Sequence, residues 1–148
     1  VYCQDDERQL DYNVTKFTFL GYTFQKRLSR TRWGKLFVSF SPAISNEAKK
    51  SIRQTIRKWR IHLWSGATLN SIAQEINPVV RGWINYYGKY GRWELRISLQ
   101  QIDEYLIRWA KLKYKRLRGR QTKAAKRVKL MGQKWPFLFA HWNACFAP

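Results

Sequence analysis

From Tyr12 onward the sequence holds 28 of its 29 lysines and arginines but only five of its nine carboxylates (Glu47, Glu75, Glu94, Asp103 and Glu104), a net charge of +23. That imbalance constrains any fold: cations must occupy outer faces, and the core must be built from apolar seams between them. The other four acids, Asp5, Asp6, Glu7 and Asp11, crowd into the first eleven residues beside Arg8. Like charges packed into one small body destabilise it by self-repulsion, and a polyanion relieves that repulsion. Solubility alone needs a net charge of only about 2–8 in a small domain. The sequence therefore predicts an anionic partner, with nucleic acid ahead of anionic lipid. Apolar residues make up 45% of the 148, with eight Trp. That suffices for one domain, or one domain with a partial neighbour, held without disulfide or metal staples.

Several function classes fall away. No run approaches the eighteen or so apolar residues of a membrane span, and no apolar signal segment opens the sequence, so export is not expected. Val1 in place of an initiator Met reads as a fragment or a processed product. Cys3 and Cys145 stand near opposite ends; a disulfide between them is open, but free thiols in a reducing compartment fit better. With His62 and His141 as the only histidines, nothing matches a zinc spacing. His141 and Cys145, four residues apart, read as a tryptophan-rich packing corner. Asp5 and Asp6 lack an apolar β frame, and Asp103 and Glu104 point about 100° apart on a helix. No catalytic residue, metal site or cofactor is expected in this chain.

The predicted fold class is α+β, mainly α: a short N-terminal antiparallel β-hairpin, then a helical bundle and a basic helical C-terminal region. Val1–Cys3 reads as a strand end. Residues 16–24 (KFTFLGYTF) read as one aromatic strand covered on both faces, with Gly21 interrupting it. Residues 25–34 form a basic turn, and residues 35–40 return as a strand that Pro42 ends.

Helix signals follow. Ser45 caps a helix with Glu47 in its first turn, and Ala48, Ile52, Ile56, Trp59 and Leu63 make its apolar stripe. Lys49, Arg53, Arg57 and Arg60 lie beside that stripe as a cationic ridge, and Ser65-Gly66 closes the helix. A second helix starts near Thr68. Because Pro inside a helix costs about 3 kcal/mol, the cheaper reading is a break, with Asn77 as cap and Pro78 as the first residue of a new helix. There Val79, Val80, Trp83, Ile84 and Tyr87 share a face, Gly82 admits another backbone, and Gly88 and Gly91 end it. A third helix runs from Ser98, boxed with Gln101, to about Leu117. Its apolar stripe is Leu99, Ile102, Leu106, Trp109 and Ala110. Arg108, Lys111, Lys115 and Arg118 are its basic one. Residues 113–129 hold nine bases and no acid.

Three stretches carry a resemblance. Residues 19–24 (FLGYTF), 75–87 (EINPVVRGWINYY) and 137–142 (FLFAHW) together resemble the C-terminal part of group II intron reverse transcriptase/maturases, in the family's order. The resemblance covers about Val14 to Trp142 and rests on Gly21, Tyr22, Asn77, Pro78, Gly82, Trp83, Asn85, Tyr86, Tyr87, His141 and Trp142. It implies the end of the palm over residues 1–41, thumb and maturase-specific helices over 42–118, and the basic C-terminal segment of domain X over 119–148. The family's YADD-type catalytic motif is not among these residues, and the resemblance places it upstream of Val1. The implied partner is group II intron RNA, whose folding and splicing such proteins assist, with template–primer and the upstream fingers and palm as further partners. The implied location is a bacterial cytoplasm or an organellar matrix.

The residues expected to meet RNA are Lys49, Lys50, Arg53, Arg57, Arg60, Arg81, Lys89 and Arg92, and then Lys113, Lys115, Arg116, Arg118, Arg120, Lys123, Lys126, Arg127 and Lys129. Cations of this kind offset crowded phosphates, Arg by a bidentate fork and Lys as a point charge. Trp59, Trp83, Tyr87 and Trp109 read as core. Tyr86 and Tyr90 are poised between packing and stacking. Asn85 reads as bonding a backbone carbonyl, and Arg81 either anchors the region of Glu75 or meets a phosphate. Two other classes compete: a severed piece of a polymerase, including a non-catalytic thumb fragment or a decayed remnant, and a membrane-active cationic protein.

Overall fold

The computed structural model describes residues 1–146, with side chains through Asn143. A pairing of Cys3 with Cys145, or a contact of Cys145 with His141, lies outside the described residues. The chain opens on three antiparallel strands in the order β1-β2-β3, at Phe17–Phe19, Tyr22–Arg30 and Leu36–Ile44. Five helices follow: α1 (Asn46–Trp59), α2 (Leu69–Tyr87), α3 (Arg92–Lys113), α4 (Gln121–Lys134) and α5 (Ala140–Phe146). Short 3-10 turns at Ile61–Leu63 and Lys115–Leu117 follow α1 and α3. The fold is α+β and mainly α, as the periodicities predict.

The N-terminal sheet differs from the expected single hairpin. Phe19 pairs with Tyr22, so Leu20 and Gly21 form a two-residue loop with φ of 50° and 81°, the positive φ pair of a type I′ turn. What reads as one strand is thus two, and it is not covered on both faces: Phe17, Phe19 and Leu20 are exposed. The basic stretch after Phe24 is strand as far as Arg30, and Pro42 does not end β3 but pairs with Phe24. Proline is tolerated there because β3 is an edge strand. Val1–Cys3 forms no strand; Tyr2 N–H bonds Val14 O at 2.9 Å.

The sheet meets the helices at its Ile44 end. Ile44 enters a core cluster that runs on through Ile52, Ile56, Ile72, Val80, Leu99 and Trp109 to Trp142. Helix α3 is the centre of the bundle, packing on α1, α2, α4, α5 and β3. Its indole at Trp109 is buried, with Nε1 donating to Trp64 O at 2.8 Å, so the burial leaves no orphaned donor. Gly91, at φ 60°, caps the start of α3, where a Cβ would lie 2.4 Å from Ala43 Cβ. Only glycine lets β3 and α3 approach this closely.

Helix boundaries correct the sequence reading at the end of α1, within α2 and at both ends of α3. Ser45 caps α1 as predicted, its Oγ accepting from Ala48 N at 3.1 Å, but α1 ends at Arg60 in a left-handed cap rather than at Ser65-Gly66. Leu63 is therefore off the stripe and exposed. Helix α2 is continuous through Pro78, with Thr68 and Ser71 forming its capping box. Pro78 sits on the solvent side with Gln74, so the carbonyl that loses its partner can bond water. Helix α3 starts at Arg92, six residues before Ser98, which is buried inside it; α3 ends at Lys113, so Lys115 and Arg118 are not on its basic stripe. Finally, no atom lies within 4 Å of a Cβ built on Gly82, so it admits no neighbouring backbone.

Candidate nucleic-acid interface

The α1 cations divide. Lys50, Arg53, Arg57 and Arg60 are exposed along the helix, off the buried stripe of Ala48, Ile52 and Ile56. Lys49 leaves this ridge: its Nζ lies 3.0 Å from Glu94 Oε2, and its side chain is only 19% exposed. Lys49 thereby ties α1 to the first turn of α3. Arg81 and Lys89 are exposed, and neither pairs with a carboxylate among the described residues; Arg81 does not anchor Glu75. Arg92 donates from Nε to Gly88 O at 3.3 Å, linking α3 to the end of α2.

The basic run of residues 113–129 folds into a concavity of about 810 Å³ between the second 3-10 turn and the first turns of α4. Lys113, Lys115, Arg116, Arg118, Arg120, Lys123 and Arg127 line it with Tyr114 and Leu117, and no carboxylate does. A left-handed Gly119 (φ 70°) turns the chain between the 3-10 turn and α4, which brings cations from both sides onto one hollow. Helix α4 begins without a side-chain cap, so its first N–H groups add positive potential. Clefts walled by one sign of charge focus that potential outward. Two cations here are braced. Arg127 lies 5.4 Å from the Tyr114 ring centre; Lys113 sits 5.1 Å from the Trp109 ring centre and donates to Ala67 O. Lys126 and Lys129 are exposed on α4 outside the lining.

The motif residues do a different job, joining distant parts of the chain. At the C-terminal end of α2, Tyr86 Oη donates to Leu20 O at 2.7 Å, and Tyr22 Oη donates to Tyr86 O. A Cβ on Gly21 would stand 3.0 Å from Tyr87 Cε1. The β1–β2 loop is thus clamped on the two tyrosines. Burial, and then neighbouring phenols, push the Tyr22 and Tyr87 hydroxyls above the ordinary phenol range. At the middle of α2, Asn77 donates to Leu138 O and accepts from Ala140 N, both at 2.9 Å. It caps α5 rather than a new helix of its own.

His141 and Trp142 are buried, and both reach Asp103 Oδ1, from Nε2 at 2.8 Å and Nε1 at 2.7 Å. Sequence reasoning missed Asp103, because its partners lie 38 and 39 residues away. Trp83 stacks on Trp59 with ring centres 5.6 Å apart, and both are half-buried against the core. Asn85 is exposed and makes no side-chain hydrogen bond among the described residues, so the carbonyl contact expected of it does not form. Tyr90 is exposed, edge-on to Tyr22. No group of three or more His, Cys, Asp and Glu among the described residues can hold a metal, and no described helix is long and apolar enough to cross a membrane.

These features place the chain among known proteins. The family model of the group II intron maturase-specific domain matches residues 49–128, more than half of the 148, from the α1 ridge through the cationic concavity to the middle of α4. The chain therefore belongs to the group II intron maturase family, whose maturase-specific domain is a non-catalytic module. No curated protein and no solved structure matches it.

Proposed function

We propose that this chain is the RNA-binding part of a group II intron maturase, holding the intron in its active fold while the RNA performs the splicing chemistry. In this reading residues 1–41 close a reverse transcriptase palm, 42–118 form thumb and maturase-specific helices, and 119–148 end domain X. The concavity walled by Lys115, Arg116, Arg118, Arg120 and Lys123 carries the proposal. It is a hollow of one sign, framed by the Gly119 turn and free of carboxylates. Folded RNA presses phosphates together, and fixed cations at such a point offset their repulsion. The motif residues lie away from this surface: Asn77 joins α2 to the start of α5, and Tyr86 joins α2 to the β1–β2 loop.

Filter binding with group II intron RNA across a salt series tests this. Affinity falls steeply with salt, losing about 0.7–0.9 of log K per log salt for each phosphate neutralised. Reversing Arg116 and Lys123 to Glu lowers that slope by about two and weakens binding at low salt. An affinity indifferent to salt, or to the reversal, would sink the proposal.

A further inference from the structure

The loop joining β2 to β3 presents Trp33 to solvent with 89% of its surface exposed, the highest figure for any large apolar side chain described. The indole is not on a floppy segment. Thr31 N–H bonds Lys35 O at 2.8 Å, Gly34 N–H bonds Thr31 O at 2.9 Å, and Lys35 N–H bonds Thr31 Oγ1 at 3.0 Å. Gly34 takes φ 84° to close the turn, and Arg30 Nε donates to its carbonyl at 3.3 Å. This hydrogen-bonded turn holds out a large apolar ring with the Arg32 guanidinium 5.8 Å from its centre. Residues 12–46 contain six bases and no acid, with Arg30, Arg32 and Lys35 exposed around the tip. The acidic opening segment touches β3 at Val38 through Asp6 N–H, but Asp5 is occupied by Arg8. No carboxylate bonds the tip cations among the described residues.

We infer that the β2–β3 tip is a second nucleic-acid site, in which Trp33 stacks on an unpaired base while Arg30, Arg32 and Lys35 take the flanking phosphates. This rests on the proposal that the partner of the chain is RNA, but it adds a ligand class, single-stranded nucleotides, that the cationic concavity does not select. An aromatic face on a cationic mount accepts any exposed base, because every base has a π-face. A preformed turn also saves the ordering entropy that a flexible loop would lose on binding.

The test compares short oligoadenylate with an abasic oligomer of equal length, on the whole chain and on Trp33→Ala. Stacking is worth about 1–3 kcal/mol per base, so Trp33→Ala weakens oligoadenylate binding by about five- to 150-fold and leaves the abasic oligomer unchanged. Trp33→Phe restores most of the loss. Helical circular dichroism stays constant in both variants, since Trp33 packs into no core. Equal losses on both oligomers, or no loss on oligoadenylate, would overturn the inference while intron RNA binding stands. Absence of binding to any RNA by the unaltered chain would overturn it together with the proposed function. Binding to phosphatidylserine vesicles that Trp33→Ala abolishes, with oligoadenylate unaffected, would also overturn it.

Discussion

Asn77 commits both ends of its amide to the loop before α5, and it is 7% exposed. Removing it leaves Leu138 O and Ala140 N without their partner in a half-buried site, where each orphaned group costs about 1–3 kcal/mol. Asn77→Ala should therefore lower stability by about 2–4 kcal/mol in a urea melt, far more than an exposed asparagine such as Asn85 would lose. The tyrosine clamp gives a second prediction at this scale. Tyr22 and Tyr87 hold their protons more tightly in the folded chain than the ordinary phenol, whose pKa is about 10. A group whose folded pKa is raised contributes stability that is complete below the unfolded pKa and lost as pH rises through the folded one. Melting temperature should thus fall as pH climbs from about 10, and phenolate absorbance should show two tyrosines ionising above the ordinary phenol range. Tyr22→Phe should flatten the alkaline fall; an unchanged profile would show that the clamp does not titrate.

Helix α2 is the element on which the motifs converge, with Asn77 holding α5 and Tyr86 and Tyr87 holding the β1–β2 loop. Pro78 sits between these joints, where it forfeits a helical hydrogen bond costing about 3 kcal/mol. Its rigidity returns about 1 kcal/mol through the unfolded chain, so the loss wins and Pro78→Ala should stabilise the fold by about 1–2 kcal/mol. A fall in stability would mean instead that Pro78 is needed for α2 to reach both joints. Local rules misplace this helix and the next for one reason. A proline and a Ser98–Gln101 pair are strong boundary signals only when tertiary burial is indifferent, and here burial of Ile76 and Val80, and of Leu95 and Leu99, carries each helix through. Where burial and local signal agree, as in Ser45 followed by Ala48, Ile52 and Ile56, the sequence reading holds. The site was legible as a count of cations but not as a hollow, because the hollow depends on the Gly119 turn. That Lys49 turns to Glu94, and that Asp103 binds His141 and Trp142, are long-range pairings with no periodic signature.

Across the whole molecule the net charge of +20 sets two requirements against each other. Each cation held for an anionic partner repels its neighbours while that partner is absent. Salt weakens both this repulsion and the ion pairs, so the sign of its effect depends on which is larger. Lys49–Glu94 is partly exposed, and such pairs are worth about 0–1 kcal/mol; Arg8–Asp5, also at the surface, is screened as readily. The repulsion is summed over the surface and reaches about 30 Å at 0.01 M salt but only about 3 Å at 1 M. Repulsion therefore wins, and the melting temperature of the free chain should rise with salt, by several degrees if about 1–2 kcal/mol is relieved. The double reversal Arg116→Glu with Lys123→Glu lowers the net charge from +20 to +16 and should raise the melting temperature at low salt, with the gain vanishing at high salt. The same variant should bind intron RNA less well. A variant that loses both stability and binding would show that the walls of the concavity hold the fold together rather than await a polyanion.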